Sequence, residues 1–320
     1  MRILIAVLLS FFATSAFAAE PCAPRKAVAP ALARLETAMA TTRFVTYNPT
    51  GLKVIEGNIT PASAENIRAD LKALRPYFDG LITYSARDGN EHVADIAQEL
   101  GYKAVVIGLW TPADPEEVKN AIKAVKAHPK LVVGISLGNE IVFGKRGTWA
   151  NLQSYLALMR SRIPDVPLTI TEPFAQFLES DADDVRGQLD FMLVNIHPIF
   201  EKWFATSGPD NWADFVVKVT DKLQGAYCGP IIVKETGLPT GPVTMGYDAE
   251  KQAAFWRALE AQYKPSHARA FSYFSAFDAP WRIADFNPVA GTHPEEAFWG
   301  LFTEAREPKP AVAGLPKLKK

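Results

Sequence analysis

One rhythm dominates the sequence. Short, continuous apolar runs rich in β-branched residues recur eight times, at 44–47, 81–84, 104–107, 131–135, 168–170, 191–196, 231–233 and 270–274. Runs with no polar alternation suit strands buried on both faces, as in a parallel sheet. Stretches with helical spacing lie between them. Ser63 is placed to cap a helix whose Ile67, Leu71 and Leu74 share one face. Asp114-Pro115-Glu116-Glu117 offers a cap, a first-turn proline and an acid at the third helical position. Val93, Ile96, Ala97 and Leu100 form another face, closed by Gly101, and Thr148 can cap a helix carrying Leu152, Leu156 and Met159. The fifth connection, 171–191, is short and its helix weak. Eight strands with crossover-length connections predict a single-domain α/β fold, a (β/α)8 TIM barrel. A doubly wound sheet would call for a glycine-rich turn after the first strand, and Tyr47-Asn48-Pro49-Thr50-Gly51 is not one.

The ends of the chain read differently. Arg2, the apolar run 3–12 and the small-x-small Ala16-Phe17-Ala18 predict a signal peptide over 1–18 and a periplasmic or secreted product. No later apolar stretch is long enough to span a bilayer. The expected organisation is then an N-terminal segment over 19–41, the barrel over 42–305 and a Pro- and Lys-rich tail over 306–320 that frays. The two cysteines, Cys22 and Cys228, allow one disulfide or two free thiols, and the sequence leaves both open. With 34 Lys plus Arg against 35 Asp plus Glu, the surface lacks the basic excess that nucleic-acid binding requires. The five histidines are scattered, so no metal site or cofactor is expected, and without an oligomer signal the default is a monomer.

Barrel chemistry sits at the C-terminal ends of the strands, so the residues just after each apolar run are the informative ones. The fourth run ends in Ser136-Leu137-Gly138-Asn139-Glu140 and the seventh in Lys234-Glu235-Thr236-Gly237-Leu238-Pro239. Strands four and seven lie nearly opposite in an eight-stranded ring, so both Glu side chains can reach one substrate. Two such carboxyls suit glycosidic bond cleavage, one as acid, the other as nucleophile or base. A lone strand-end Glu is more often a salt-bridge partner; the conjunction of the two is what carries weight. Lys234 is expected to point away from Glu235, because neighbouring strand residues face opposite sides. Gly138 to Arg146 superficially suggests a phosphate loop, but the spacing is too long and Arg146 stands where Ser or Thr is required.

Four segments carry a family resemblance: Gly-Asn-Glu at 138–140, Val-Asn-Ile-His-Pro at 194–198, Lys-Glu-Thr-Gly-Leu-Pro at 234–239 and Phe-Asp-Ala-Pro-Trp at 277–281. Together with Trp-Gly-Leu-Phe at 299–302, the chain resembles family 17 glycoside hydrolases from Tyr47 to Phe302. These are retaining (β/α)8 enzymes acting on β-1,3-glucan as hydrolases or transglycosylases. The resemblance implies Glu140 as acid/base, Glu235 as nucleophile and Asn139 as the residue that bonds the sugar 2-hydroxyl. It also implies a β-glucan oligosaccharide or polysaccharide as partner. The chain departs from the family at Ser275 and Ala279, where acidic residues are frequent, and at His197, where Tyr is common.

Aromatic residues near strand ends offer flat faces to pyranose rings. Tyr47, Tyr84 and Trp281 are the leading substrate-binding candidates, with Trp110, Trp203 and Phe277 behind them. Trp149, Trp212 and Trp256 belong to helices and to the core. His197 is placed either to bond the nucleophile or the sugar or to serve as a satisfied structural histidine, while Asp88 and Glu172 are weaker substrate contacts. Three other functions compete with hydrolysis: glucan transfer through the same two Glu residues, a noncatalytic carbohydrate-binding barrel, and a related retaining enzyme acting on mannan or β-1,4-glucan.

Overall fold

The computed structural model of the protein describes residues 26–284, 286–287 and 291–319. The expected signal peptide and Cys22 lie outside the described residues. All eight apolar runs are strands: β1 (Phe44–Tyr47), β2 (Gly80–Thr83), β3 (Ala104–Leu109), β4 (Val132–Asn139), β5 (Leu168–Pro173), β6 (Met192–Asn195), β7 (Ile231–Glu235) and β8 (Arg269–Tyr273). They close into a parallel barrel in sequence order, with β1 hydrogen-bonded to both β2 and β8. The fold is a single-domain (β/α)8 barrel.

The helices are α1 (Ala29–Thr41), α2 (Ala64–Leu74), α3 (Val93–Glu99), α4 (Pro115–Ala127), α5 (Trp149–Arg162), α6 (Phe174–Leu178), α7 (Asp183–Arg186), α8 (Pro209–Ala226), α9 (Ala249–Gln262) and α10 (Pro310–Ala313). The caps read from the sequence are present. Ser63 accepts from the Asn66 N–H, Asp114 from Glu116, and Thr148 pairs reciprocally with Asn151. Glu117, expected as the acid of its cap, turns inward instead. Fully buried, it accepts from the N–H groups of Ala86, Trp110 and Thr111 and so pins the loops after β2 and β3. The weak fifth connection is broken into α6, a single 3-10 turn and α7.

Both end segments are built into the fold. The stretch before the barrel contains α1, which lies across the N-terminal mouth. Its Leu32, Leu35 and Met39 pack with Phe44, Ile82, Val106, Val133, Leu193, Ile232 and Ala270 from the barrel interior. Burying Leu35 and Met39 removes apolar surface worth about 1.5–3 kcal/mol per side chain. Of the expected tail, the described residues 306–319 do not fray, because polar groups among them find partners on the barrel and apolar ones are covered. Arg306 pairs with buried Asp70, Lys309 with Asp278, and the Leu318 N–H donates to Pro76 O, while Val312 is fully buried. With one mouth closed, access is left to the C-terminal strand ends.

Candidate active site

The loop that carries Glu140 owes its shape to a bulge. Between β4 and β5 the register runs Ser136↔Thr169 and then Asn139↔Thr171, which leaves one extra residue on β4. Gly138 takes φ +95°, and a Cβ there would stand 2.3 Å from Ile141 Cδ1, so glycine is required. Glu140 itself takes φ +53°, a conformation costing on the order of 1–3 kcal/mol for a residue with a side chain. Its N–H donates to Thr171 O at 2.8 Å and holds it there.

A second bulge corrects the expectation for Lys234. The β6–β7 register steps from Val194↔Val233 to Asn195↔Glu235, so Lys234 has no opposite number and the two-residue alternation is broken. Lys234 and Glu235 therefore reach the same side. The buried Lys234 Nζ donates to Asn139 Oδ1 at 2.6 Å, lies 3.6 Å from Glu235 Oε1 and sits 3.9 Å from the centre of the Tyr84 ring.

Glu140 and Glu235 interact electrostatically, and their surroundings shift their titrations in opposite directions. For Glu140, burial and the neighbouring Glu235 charge push the carboxyl above the usual range, against an opposing hydrogen bond from Asn195. That bond runs from Asn195 Nδ2 to Glu140 Oε1 at 2.9 Å. For Glu235, burial alone would raise the carboxyl. The His197 hydrogen bond, the Lys234 charge and Tyr84 outweigh it and hold Glu235 below the usual range. His197 Nε2 lies 3.5 Å from Glu235 Oε2, and its ring is wedged among Phe274, Trp299 and Phe200. The two carboxyls are thus shifted in opposite directions.

The other candidates divide. Tyr84 stands at the site beside Glu235, and burial followed by that negative charge pushes its phenol well above the ordinary value. Tyr47 does not reach the pocket. It is fully buried, donates to Asp70 Oδ2 at 2.8 Å and packs edge-on against Phe277, because Asp70 of α2 needs its hydroxyl as a buried donor. Trp281 is half-buried on the 3-10 turn Pro280–Ala284 after β8. Glu172 is fully buried and accepts from Val142 and Phe143 N–H, so it shapes the loop after Glu140. Burial pushes that carboxyl up to about 7, against those two bonds. Asp88 pairs with Arg87 at 3.1 Å. Trp110 is 46% exposed, with the Arg146 guanidinium 4.5 Å from its ring centre.

Three further residues belong to the site. Asn195 orients Glu140, and as the last residue of β6 it stood at a position where barrel chemistry is expected. Lys234 was set aside on strand alternation. Arg146 donates to the Asn139 carbonyl oxygen and bridges the loops after β3 and β4; no local pattern marks it. Among the described residues, no cluster of His, Cys, Asp or Glu could hold a metal.

Solved structures share this barrel. The family 17 β-1,3-glucanosyltransferase of Rhizomucor miehei superposes with a TM-score of 0.62 at 21% identity, covering 84% of this chain and 95% of that one. Its active-site mutant in complex with laminaritriose gives 0.63 at 20% identity, covering 84% and 96%. An endo-laminarinase from Formosa Hel1_33_131 gives 0.59 at 17%, covering 82% and 83%. No curated protein matches. The model of the BtgE/BtgC glycoside hydrolase domain matches residues 45–300, in agreement with the resemblance carried by the strand-end motifs, and the chain belongs to that family.

Proposed function

We propose that the protein is a retaining enzyme acting on β-1,3-glucan, with Glu235 as nucleophile and Glu140 as acid/base. The observation that carries this reading is the meeting of the β4 and β7 ends: Lys234 Nζ bonds Asn139, the neighbour of Glu140, and lies 3.6 Å from Glu235, with the Glu235 carboxyl shifted down by His197 and Lys234 against its burial and the Glu140 carboxyl shifted up by burial and by Glu235. A Glu235 oxygen attacks the anomeric carbon as the glycosidic C–O bond breaks, and the Glu140 proton goes to the departing oxygen. Water then attacks the same carbon, giving its proton to Glu140 and releasing Glu235. The expected carboxyl separation is about 5–5.5 Å.

The substrate class is supported by the strand-end motifs and by the relatives of this fold, one of them bound to laminaritriose. Transfer to a second glucan hydroxyl uses the same intermediate, and the glucanosyltransferase among those relatives keeps that outcome in view. Incubation with laminari-oligosaccharides and sizing of the products tests both. Shorter products alone mean hydrolysis, and longer or branched ones mean transfer. A 2-fluoro glycoside should add its sugar mass to Glu235, whereas an unmodified enzyme would indicate a binding barrel without catalysis. The proposed setting is the periplasm or the cell exterior, after removal of residues 1–18; the mass of the mature protein checks this.

A further inference from the structure

The Lys234 ammonium has only hydrogens to offer, and Asn139 meets it with an oxygen at 2.6 Å. Its other neighbours are Glu235 Oε1 at 3.6 Å and the face of Tyr84 at 3.9 Å. The lysine is thus enclosed by an amide oxygen, a carboxylate and a π-face, and with 1% exposure it cannot itself contact a substrate. An asparagine amide presents either its oxygen or its NH2 to a ligand, and the two ends differ little in shape. Here the lysine decides. Once Oδ1 is engaged, Nδ2 is the end left for the pocket, and no described residue accepts from it.

We propose that Lys234 is a positioning residue that locks the Asn139 side chain so that its NH2 donates to the sugar 2-hydroxyl oxygen. The hydroxyl's own hydrogen is then left to point at Glu235. The proposal rests on the reading of this site as a glycosidase pocket and adds the residue that fixes which end of the Asn139 amide faces the sugar. Burial, opposed by Glu235 and Glu140, lowers Lys234 to about 8. Its titratable neighbours are Glu235, Glu140 and Tyr84, with His197 on the far oxygen of Glu235. Of these, Tyr84 is pushed well above its ordinary value and does not ionise in the same range.

The test pairs two aryl β-laminaribiosides, with and without the 2-hydroxyl on the ring that becomes attached to the enzyme. In the wild type, loss of that hydroxyl should lower kcat/KM relative to the intrinsic reactivity of each compound. In Lys234→Met this penalty should shrink by about tenfold, the worth of one well-placed hydrogen bond. In Asn139→Ala it should already be small, and adding Lys234→Met should change it no further. If Lys234→Met slows both substrates equally and leaves the penalty intact, the lysine is merely structural and the proposal fails. A second arm needs neither turnover nor the variant: the Asn139 side-chain amide, followed by NMR in the wild type, should shift with a midpoint near the lysine titration. An amide indifferent to pH between about 7 and 9 overturns the lock. A wild type inactive on both glycosides refutes the glycosidase reading, while this arm still decides the fate of the lock.

Discussion

Asn195 Nδ2 donates to Glu140 Oε1 at 2.9 Å, and this contact joins the end of β6 to the end of β4 across the intervening strand. It steadies the carboxyl proposed to give up and recover a proton. Asn195→Ala should lower kcat on the order of 10²-fold, the cost of a displaced catalytic group. Because the bond opposes the rise in the Glu140 pKa, its loss should also move the alkaline limb of the rate profile upward. A fall in kcat with an unmoved limb would reduce Asn195 to packing.

The two carboxyls predict a bell-shaped dependence of kcat/KM on pH. Activity falls on the acid side as Glu235 takes a proton, below the usual carboxylate range because His197 and Lys234 favour its anion. It falls on the alkaline side as Glu140 loses its proton, above that range. In Glu235→Gln the repelling charge is gone, so Glu140 observed by NMR should titrate lower than in the wild type. An unchanged Glu140 titration would break the electrostatic link between them.

His197 lies by one oxygen of Glu235, the proposed nucleophile, and Lys234 by the other. Replacing it with Ala removes a hydrogen bond that favours ionised Glu235. The acid limb should therefore rise by about one pH unit or more, measured on an aryl glycoside. A limb that stays in place would make His197 a packing residue held by Phe274 and Trp299.

Tyr47 tests the correction made by the structure. Tyr47→Phe removes one donor to buried Asp70, which keeps Thr50 and Arg306. The expected cost is about 1–3 kcal/mol in stability, read by chemical denaturation, with kcat/KM unaltered. A loss of catalysis without a loss of stability would return Tyr47 to the sugar site.

Where the chain obeys simple periodicity it is readable. The apolar runs of β1 to β8 announce the barrel, and Ser63, Asp114 and Thr148 announce their helices. The motif pair around Glu140 and Glu235 was legible for the same reason: strand ends are where a barrel places its chemistry. Lys234 escaped because an unpaired residue in β7 breaks the alternation on which the reading relied. Tyr47 misled because an aromatic at a strand end looks the same in sequence whether it meets a sugar or a buried carboxylate 23 residues away. The order of 306–319 was hidden too, since the partners of Arg306 and Lys309 lie far away along the chain.

Helix α1 has a consequence for biogenesis. Leu35 and Met39 find their full set of neighbours only after Ile232 and Ala270 have been synthesised, roughly two hundred residues later. A nascent chain must therefore hold an apolar plug in reserve until the ring around it exists. Folding of this kind is slow and exposes sticky surface on the way, so α1, though synthesised before the whole ring, is among the last elements to settle.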